Sequence, residues 1–287
     1  LTQTLRERKV EGSLLCVIDR TRTPMGGRLL RTRLSQPLID RAAIEARLDE
    51  VAAFFEDAVL QAQVLETLKD LPDLERLANR VLGGIANPRD LTGIQVALEG
   101  VVDLREILLA AQGLPAELAA DLDPCPDVDG LIGRAIVDEP PASVANGGVI
   151  RSGFSEELDE LLRSVKEARD WLASLEREEQ ERTGIKSLKV GFNKVFGYYI
   201  EVTKANQDAV PEDYIRKQTL TNSERYITPE LKEVETEILN AEERQTELEA
   251  RLFHEVCQRV AARAGVLLGT ARGAARVDVA ASLAEVA

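Results

Sequence analysis

The sequence predicts a mainly α protein: a helical core, and a long antiparallel two-helix lever carrying a small antiparallel β domain at its tip. Three observations predict it. Aromatic residues make up only 4% of the 287-residue chain, which favours Leu- and Ala-lined helical packing over an all-β core. Two stretches repeat apolar residues at alternating spacings of three and four, the narrow seam of a coiled coil. Between them, residues 185–228 change to the period-two alternation of strands.

The first 154 residues read as helices separated by capping signals. In "RTPMGGRLLRTRL", Thr23 stands at an N-cap and Pro24 at the first helical position. Gly26 and Gly27 lower helix propensity there, so a close backbone approach is expected. "ANPRDL" repeats the device, with Asn87 as cap, Pro88 following and Asp90 near the positive end of the helix. The stretch "EPPASVANGGVIRSG", 139–153, is too rich in Pro and Gly for helix and marks a boundary.

From Ser155 the pattern changes. "SEELDELLRSVKEARDWLASLEREEQERTG" opens on a capping Ser and an acidic first turn and stops at Gly184. Its seam is Leu158, Leu161, Val165, Ala168, Leu172 and Leu175, about 40 Å long at the helical rise. A second helix starts at Thr228–Pro229 and carries Leu231, Val234, Ile238, Ala241, Leu248 and Leu252, with polar Gln245 at one seam position. The lever helices are thus expected over 155–184 and 229–270, with a further helix over 271–287. An antiparallel pair needs only a short turn, so the intervening segment should be a domain of its own. There "SLKVGFN" pairs with "VFGYYIEVT" as a hairpin turning near Asn193–Lys194, and "YIRKQTL" and "ERYIT" offer further strands. Phe192, Phe196, Tyr198 and Tyr199 fall within eight positions and read as the core of that sheet.

Charge narrows the function. The chain carries a net −14, which argues against a nucleic-acid coat over the whole surface. Residues 185–227 are locally +2, with seven Lys or Arg against five Asp or Glu. Asn193 and Lys194, carried outward on a hairpin, suit phosphate oxygens, which position a duplex without reading its sequence. A second basic zone, Arg6, Arg8, Lys9, Arg20, Arg22, Arg28, Arg31 and Arg33, reads as a surface that meets acidic helices or further chain.

No catalytic site is expected. The single histidine, His254, falls within the second lever helix, and the glycine pairs at 26–27, 83–84 and 147–148 lack the following Lys of a phosphate loop. G-x-S-x-G and H-E-x-x-H motifs and EF-hand loops do not occur. Cys16, Cys125 and Cys257 are odd in number and far apart, as in a reduced cytosolic protein, with no zinc site implied. The sequence shows no signal peptide and no membrane-length apolar run. It starts on Leu1 and stops at Ala287 within an apolar helical pattern, so it is expected to be a piece of a larger protein.

Several motifs, in order along the chain, carry a resemblance: "GSLLCVIDRTRTPMGGRLL", "QPLID", "ANPRDL", "GGVIRSGFSEELDEL", "SLKVGFNKVFGYYIEVTKAN" and "YIRKQTLTNSERYITPELKEVE". Together they resemble the central region of the bacterial MutS family of DNA mismatch repair proteins. The resemblance implies a helical core and lever interrupted by a clamp that closes around double-stranded DNA. In the family, the Phe-x-Glu motif that reads mismatches precedes this region and the ATPase domain, with its ATP and Mg, follows it. The fragment itself is therefore expected to hold no cofactor and to be no enzyme. The clamp positions matched are Lys189, Asn193 and Lys194, which would meet the DNA backbone, with Lys204, Arg216, Lys217 and Arg225 as further candidates. A second copy as homodimer, a MutL-type partner, and a cytoplasmic location working at the nucleoid are likewise implied. The sequence departs from the family's usual residues at Arg33, Ser35, Ile85, Ser155 and Leu162. The alternative reading is a coiled-coil scaffold whose tip docks a protein partner through its aromatics.

Overall fold

The computed structural model describes residues 1–4, 8–111 and 116–287; Arg6 of the expected basic zone lies outside them. The chain divides into two compact units, a core unit of Leu1–Arg151 with Leu252–Ala287 and a lever unit of Ser152–Arg251. The first boundary falls inside the Pro- and Gly-rich stretch that the sequence marks.

In the core unit the chain forms α1 (Leu14–Ile18), α2 (Pro24–Ser35), α3 (Arg41–Glu56), α4 (Ala58–Lys69) and α5 (Leu74–Leu82). It continues with α6 (Pro88–Ala110), α7 (Ala116–Ala120) and α8 (Pro126–Ala135). Caps set these boundaries. Thr23 accepts from the Gly26 amide, and Asn87 and Asp90 form a reciprocal capping box at the start of α6. Asp40, Asp57 and Asp73 cap α3, α4 and α5 in the same way.

The lever unit contains α9 (Glu156–Thr183), β1 (Lys189–Asn193), β2 (Gly197–Thr203), β3 (Ile215–Thr219), β4 (Ser223–Ile227) and the start of α10 (Pro229–Ala261). Ser155 caps α9, and Gly184, at φ +73°, ends it in the left-handed conformation. The Thr228 hydroxyl accepts from the Leu231 amide at the start of α10. The second lever helix, expected to reach residue 270, ends at Ala261. Ala262 and Arg263 make a turn, and a separate helix α11 (Ala264–Ala284) starts well before the expected residue 271.

α11 follows the break. Most of its residues are buried, among them Leu267, Ala271, Ala274, Val277, Val279, Ala280 and Ala281. A helix buried over most of its surface belongs in the middle of a core, and this one packs against α2, α3, α4, α5 and α7, with Arg272 left exposed. A lever helix has one seam, whereas α11 is covered on most sides. Small residues let its neighbours approach closely. A Cβ on Gly273 would lie 2.8 Å from the Asp121 carbonyl oxygen, and one on Gly26 of α2 would collide with the Asp278 carboxylate.

Asp278 is fully buried on α11. Its carboxylate accepts from the Arg22 amide at 2.9 Å, the Thr23 amide at 2.8 Å and the Thr23 hydroxyl at 2.6 Å. Burial pushes this carboxyl above its ordinary value, and the three donors pull it back. They also anchor the N-terminus of α2.

In the lever unit α9 and α10 run antiparallel, tied by Glu157–Arg251 and Arg169–Glu242 ion pairs. The seam residues Leu158, Val165, Leu172, Leu175, Leu231, Ile238, Ala241 and Leu248 are buried, as their spacing predicts. The sheet is antiparallel with strand order β1-β2-β4-β3. Val190, Tyr198, Ile200, Val202 and Tyr226 join Leu172, Leu175, Leu231 and Ile238 in one cluster, so one sheet face packs on the helix pair. The fold is the predicted one: mainly helical, with a small antiparallel sheet.

Candidate nucleic-acid interface

The hairpin is built from its glycines outward. Lys189 pairs in register with Glu201, Gly191 with Tyr199, and Asn193 with Gly197, leaving a three-residue turn of Lys194, Val195 and Phe196, one step later than the Asn193–Lys194 turn the sequence predicts. Gly197 sits at φ +85°, the left-handed position that closes such a turn. A Cβ there would also collide with the carboxylate of Glu235 on α10, which is buried and held by Lys232 at 2.8 Å. Asn193 Oδ1 accepts from the Val195 amide at 2.8 Å, so its carbonyl shapes the turn and its amide group remains to donate.

Two helix side chains hold β1 from behind. Glu176 accepts from the Val190 amide at 2.9 Å, and Gln180 donates to the Leu188 carbonyl at 2.8 Å. Tyr214 donates to Glu179 at 2.6 Å, and Arg182 grips Glu179 and Asp213 at 2.8 and 3.1 Å. These contacts fix the sheet's edges to α9.

The outward face alternates with the packed one. Lys189, Tyr199, Glu201 and Arg225 share it, since Lys189 pairs with Glu201 and Glu201 with Arg225. The Arg225 guanidinium lies 4.2 Å over the Tyr199 ring, bonds Glu201 at 2.8 Å and reaches Gln218 at 3.0 Å. Arg225 is therefore part of the sheet's outer covering rather than a free cation.

On the packed side, Glu224 is buried. It accepts from the Tyr226 hydroxyl at 2.5 Å, from Arg216 at 3.2 Å and from Gln207 at 3.2 Å. The Tyr226 hydroxyl, and then Arg216, hold the Glu224 carboxyl below its ordinary value. Reciprocally, burial and Glu224 push the Tyr226 phenol up to about 12. Arg216 keeps an exposed side chain but is committed to Glu224. Sequence reasoning missed this network. The only signal was a Glu in register with apolar Val202, and alternation alone does not say which face is packed.

The other four candidates differ. Lys189, Lys194, Lys204 and Lys217 are exposed, and none forms an ion pair among the described residues. Lys194 sits on the hairpin turn, with Asn193 beside it. Lys204 follows the opposite end of β2, about 24 Å from the turn at the strand rise. Lys189 lies on the β1 edge and Lys217 on the β3 edge, at the register irregularity between Arg216 and Gln218. The candidates thus rim the sheet instead of forming one compact pocket, an arrangement suited to several points along an extended polyanion. Near the turn Phe192 and Val195 are 57% and 91% exposed. Phe192 packs edge-on to Tyr198 and Phe196 leans on Tyr199, so Tyr198 and Phe196 are half-buried.

Elsewhere, Arg28 and Arg22 of the N-terminal basic zone meet Asp73, Glu75 and Glu285, as the sequence predicts. The three cysteines are free, and burial raises Cys125 to about 12 and Cys257 to about 11. His254 is exposed beside Gln258. Among the described residues no His, Cys, Asp and Glu cluster could hold a metal, and no helix is long and apolar enough to cross a membrane.

The family model described as MutS domain III matches residues 1–284. A DNA mismatch repair protein MutS from Acetivibrio thermocellus is 51% identical over 291 residues, which cover 100% of this chain and 33% of that protein. The proteins of the same name from Salinibacter ruber and Symbiobacterium thermophilum are each 49% identical, again over 100% of this chain and 32% and 33% of their own lengths. The chain thus spans about a third of the length of these curated relatives.

Proposed function

The chain belongs to the MutS domain III family, and from that premise we propose that it is the lever-and-clamp region of a DNA mismatch repair protein. In this reading it holds duplex DNA through backbone phosphates, and the helix pair couples the clamp to an ATPase domain outside the chain. The observation that carries the reading is the set of four exposed lysines rimming a small sheet, without an ion pair among the described residues, in a chain of net charge −14. An ammonium group positions a phosphate without selecting a base, and the net negative charge of the rest of the chain disfavours a general coat of DNA. Mismatch reading and ATP hydrolysis with its Mg lie outside the segment. A second copy closing the clamp as a homodimer and a MutL-type partner complete the assembly, in the cytoplasm.

Duplex binding by the 287-residue chain, followed by fluorescence anisotropy at low salt, tests this. Affinity should fall steeply with salt, with a slope of about 0.9 per phosphate neutralised. Reversing Lys194 and Lys217 together to Glu should lower affinity and flatten that slope by about two contacts' worth. Binding and slope unchanged by the reversal would sink the assignment.

A second reading, a tip that docks a protein, has the exposure of Phe192 and Val195 in its favour. Tyr198 weakens it, because that ring packs on the helix-pair cluster. Val195→Ser separates the two: it should leave DNA affinity nearly unchanged in the clamp reading.

A further inference from the structure

Within the core unit, α2, α5 and α11 enclose a cavity of about 310 Å³ whose lining includes Met25, Leu29, Arg28, Arg33, Arg272 and Arg276. Four guanidinium groups on one small cavity are unusual, because like charges repel unless acids separate them. Acids account for two of the four. Arg28 is bonded to Asp73 at 2.8 and 2.7 Å and to Glu75 at 3.0 Å. Arg276 is bonded to Glu50 at 2.7 Å and to Asp121 at 3.0 Å.

Arg33 and Arg272 have no such partner among the described residues. The Arg33 Nε–H is buried and makes no hydrogen bond, a state that is destabilising unless an acceptor reaches it. Burial, and then Arg47, hold the Arg33 guanidinium below its ordinary value, with Glu50 opposing the shift and Arg276 adding to it. The one acid on the cavity wall, Glu75, is already gripped by Arg28. Four carboxylates thus balance the four guanidinium groups in number, but all four are held by Arg28 and Arg276. That leaves Arg33 and Arg272 without an acid of their own and one buried donor orphaned, with room for roughly ten waters at liquid density.

We propose that this cavity binds a tetrahedral oxyanion of the phosphate class, gripped by Arg33 and Arg272. Guanidinium forks match phosphate oxygens two at a time, which an ammonium cannot do. The apolar wall of Met25 and Leu29 lowers the local dielectric and strengthens each contact. The site lies in the core unit and uses no residue of the sheet, so it stands apart from the DNA-clamp reading and can fail or hold independently of it.

The test is a titration of the 287-residue chain with inorganic phosphate at constant ionic strength, reading the arginine Nε–Hε resonances by NMR. The Arg33 resonance, identified by its loss in Arg33→Gln, should shift saturably. Arg272→Gln, a change at an exposed side chain, should weaken the affinity by about tenfold or more. A parallel titration with AMP identifies the source: tighter binding of AMP points to a nucleotide monoester, tighter binding of inorganic phosphate to the free anion. Either result supports the site. A shift that chloride reproduces, one that Arg272→Gln leaves unchanged, or no saturable shift of Arg33 overturns it.

Discussion

The core unit and the lever unit solve the problem of burial in different ways. The core unit packs around α11, most of whose Ala, Val and Leu side chains are buried, and most of its stabilisation comes from apolar area removed from water, about 25 cal/mol per Å². The lever unit has a thin sheet on a two-helix seam and buries Glu224, Glu235 and Glu249 along with its apolar residues. Buried carboxylates add little net stability, but they make wrong arrangements costly because every unpaired partner is penalised. The core should therefore respond mainly to lost volume, and the sheet to lost backbone geometry and lost charge pairing.

The largest expected effect lies in the core. Leu267 on α11 is fully buried, and Leu267→Ala removes three carbons where close-packed neighbours cannot collapse. It should cost about 3 kcal/mol in urea unfolding followed by far-UV circular dichroism. A loss below about 1 kcal/mol would mean that α11 is not the packing centre, and the contrast between the units would go with it.

A smaller effect is expected at the hairpin. Gly197→Ala meets two obstacles, a φ of +85° and the Glu235 carboxylate, and should cost about 1–2 kcal/mol. The variants separate the two causes. Adding Glu235→Ala should recover only the steric share, leaving the backbone share of about 1 kcal/mol. Full recovery in the double variant would show that the turn does not need its left-handed residue.

The same physics explains what could be read from the sequence and what could not. The ends of α9 were legible because Ser155 and Gly184 act locally, through a side-chain cap and a left-handed residue. The seam was legible because its spacing is a property of the helix itself. The end of α10 was not: Ala262–Arg263 contains no Gly or Pro, and the burial of most of α11 beyond it is a tertiary fact. Among the candidate residues, Lys194 was expected to point outward from the hairpin and is exposed, as are Lys189, Lys204 and Lys217. Arg216 and Arg225 looked equivalent to Lys204 and Lys217, because a sequence shows charge but not the partner that takes it up. Their partners Glu224 and Glu201 come from neighbouring strands, and strand order had to be known first.

Glu224 gives the finest distinction between the units. Its folded carboxyl is held below the ordinary value by Tyr226 and Arg216, so it contributes stability that is complete above the unfolded value, about 4.3. That contribution is lost as pH falls through the lower folded value. Glu224→Gln keeps the shape and an acceptor for the Tyr226 hydroxyl but removes the charge that faces Arg216. At neutral pH it should be the mildest of these changes. The difference between the parent and variant unfolding free energies should shrink from pH 6 to pH 3, because protonation makes the parent resemble the variant. Subtracting the two curves removes the carboxylates they share and isolates position 224. A difference that stays constant over that range would assign the Glu224 network to shape alone. The sheet would then be held, like the core, by packing and not by charge.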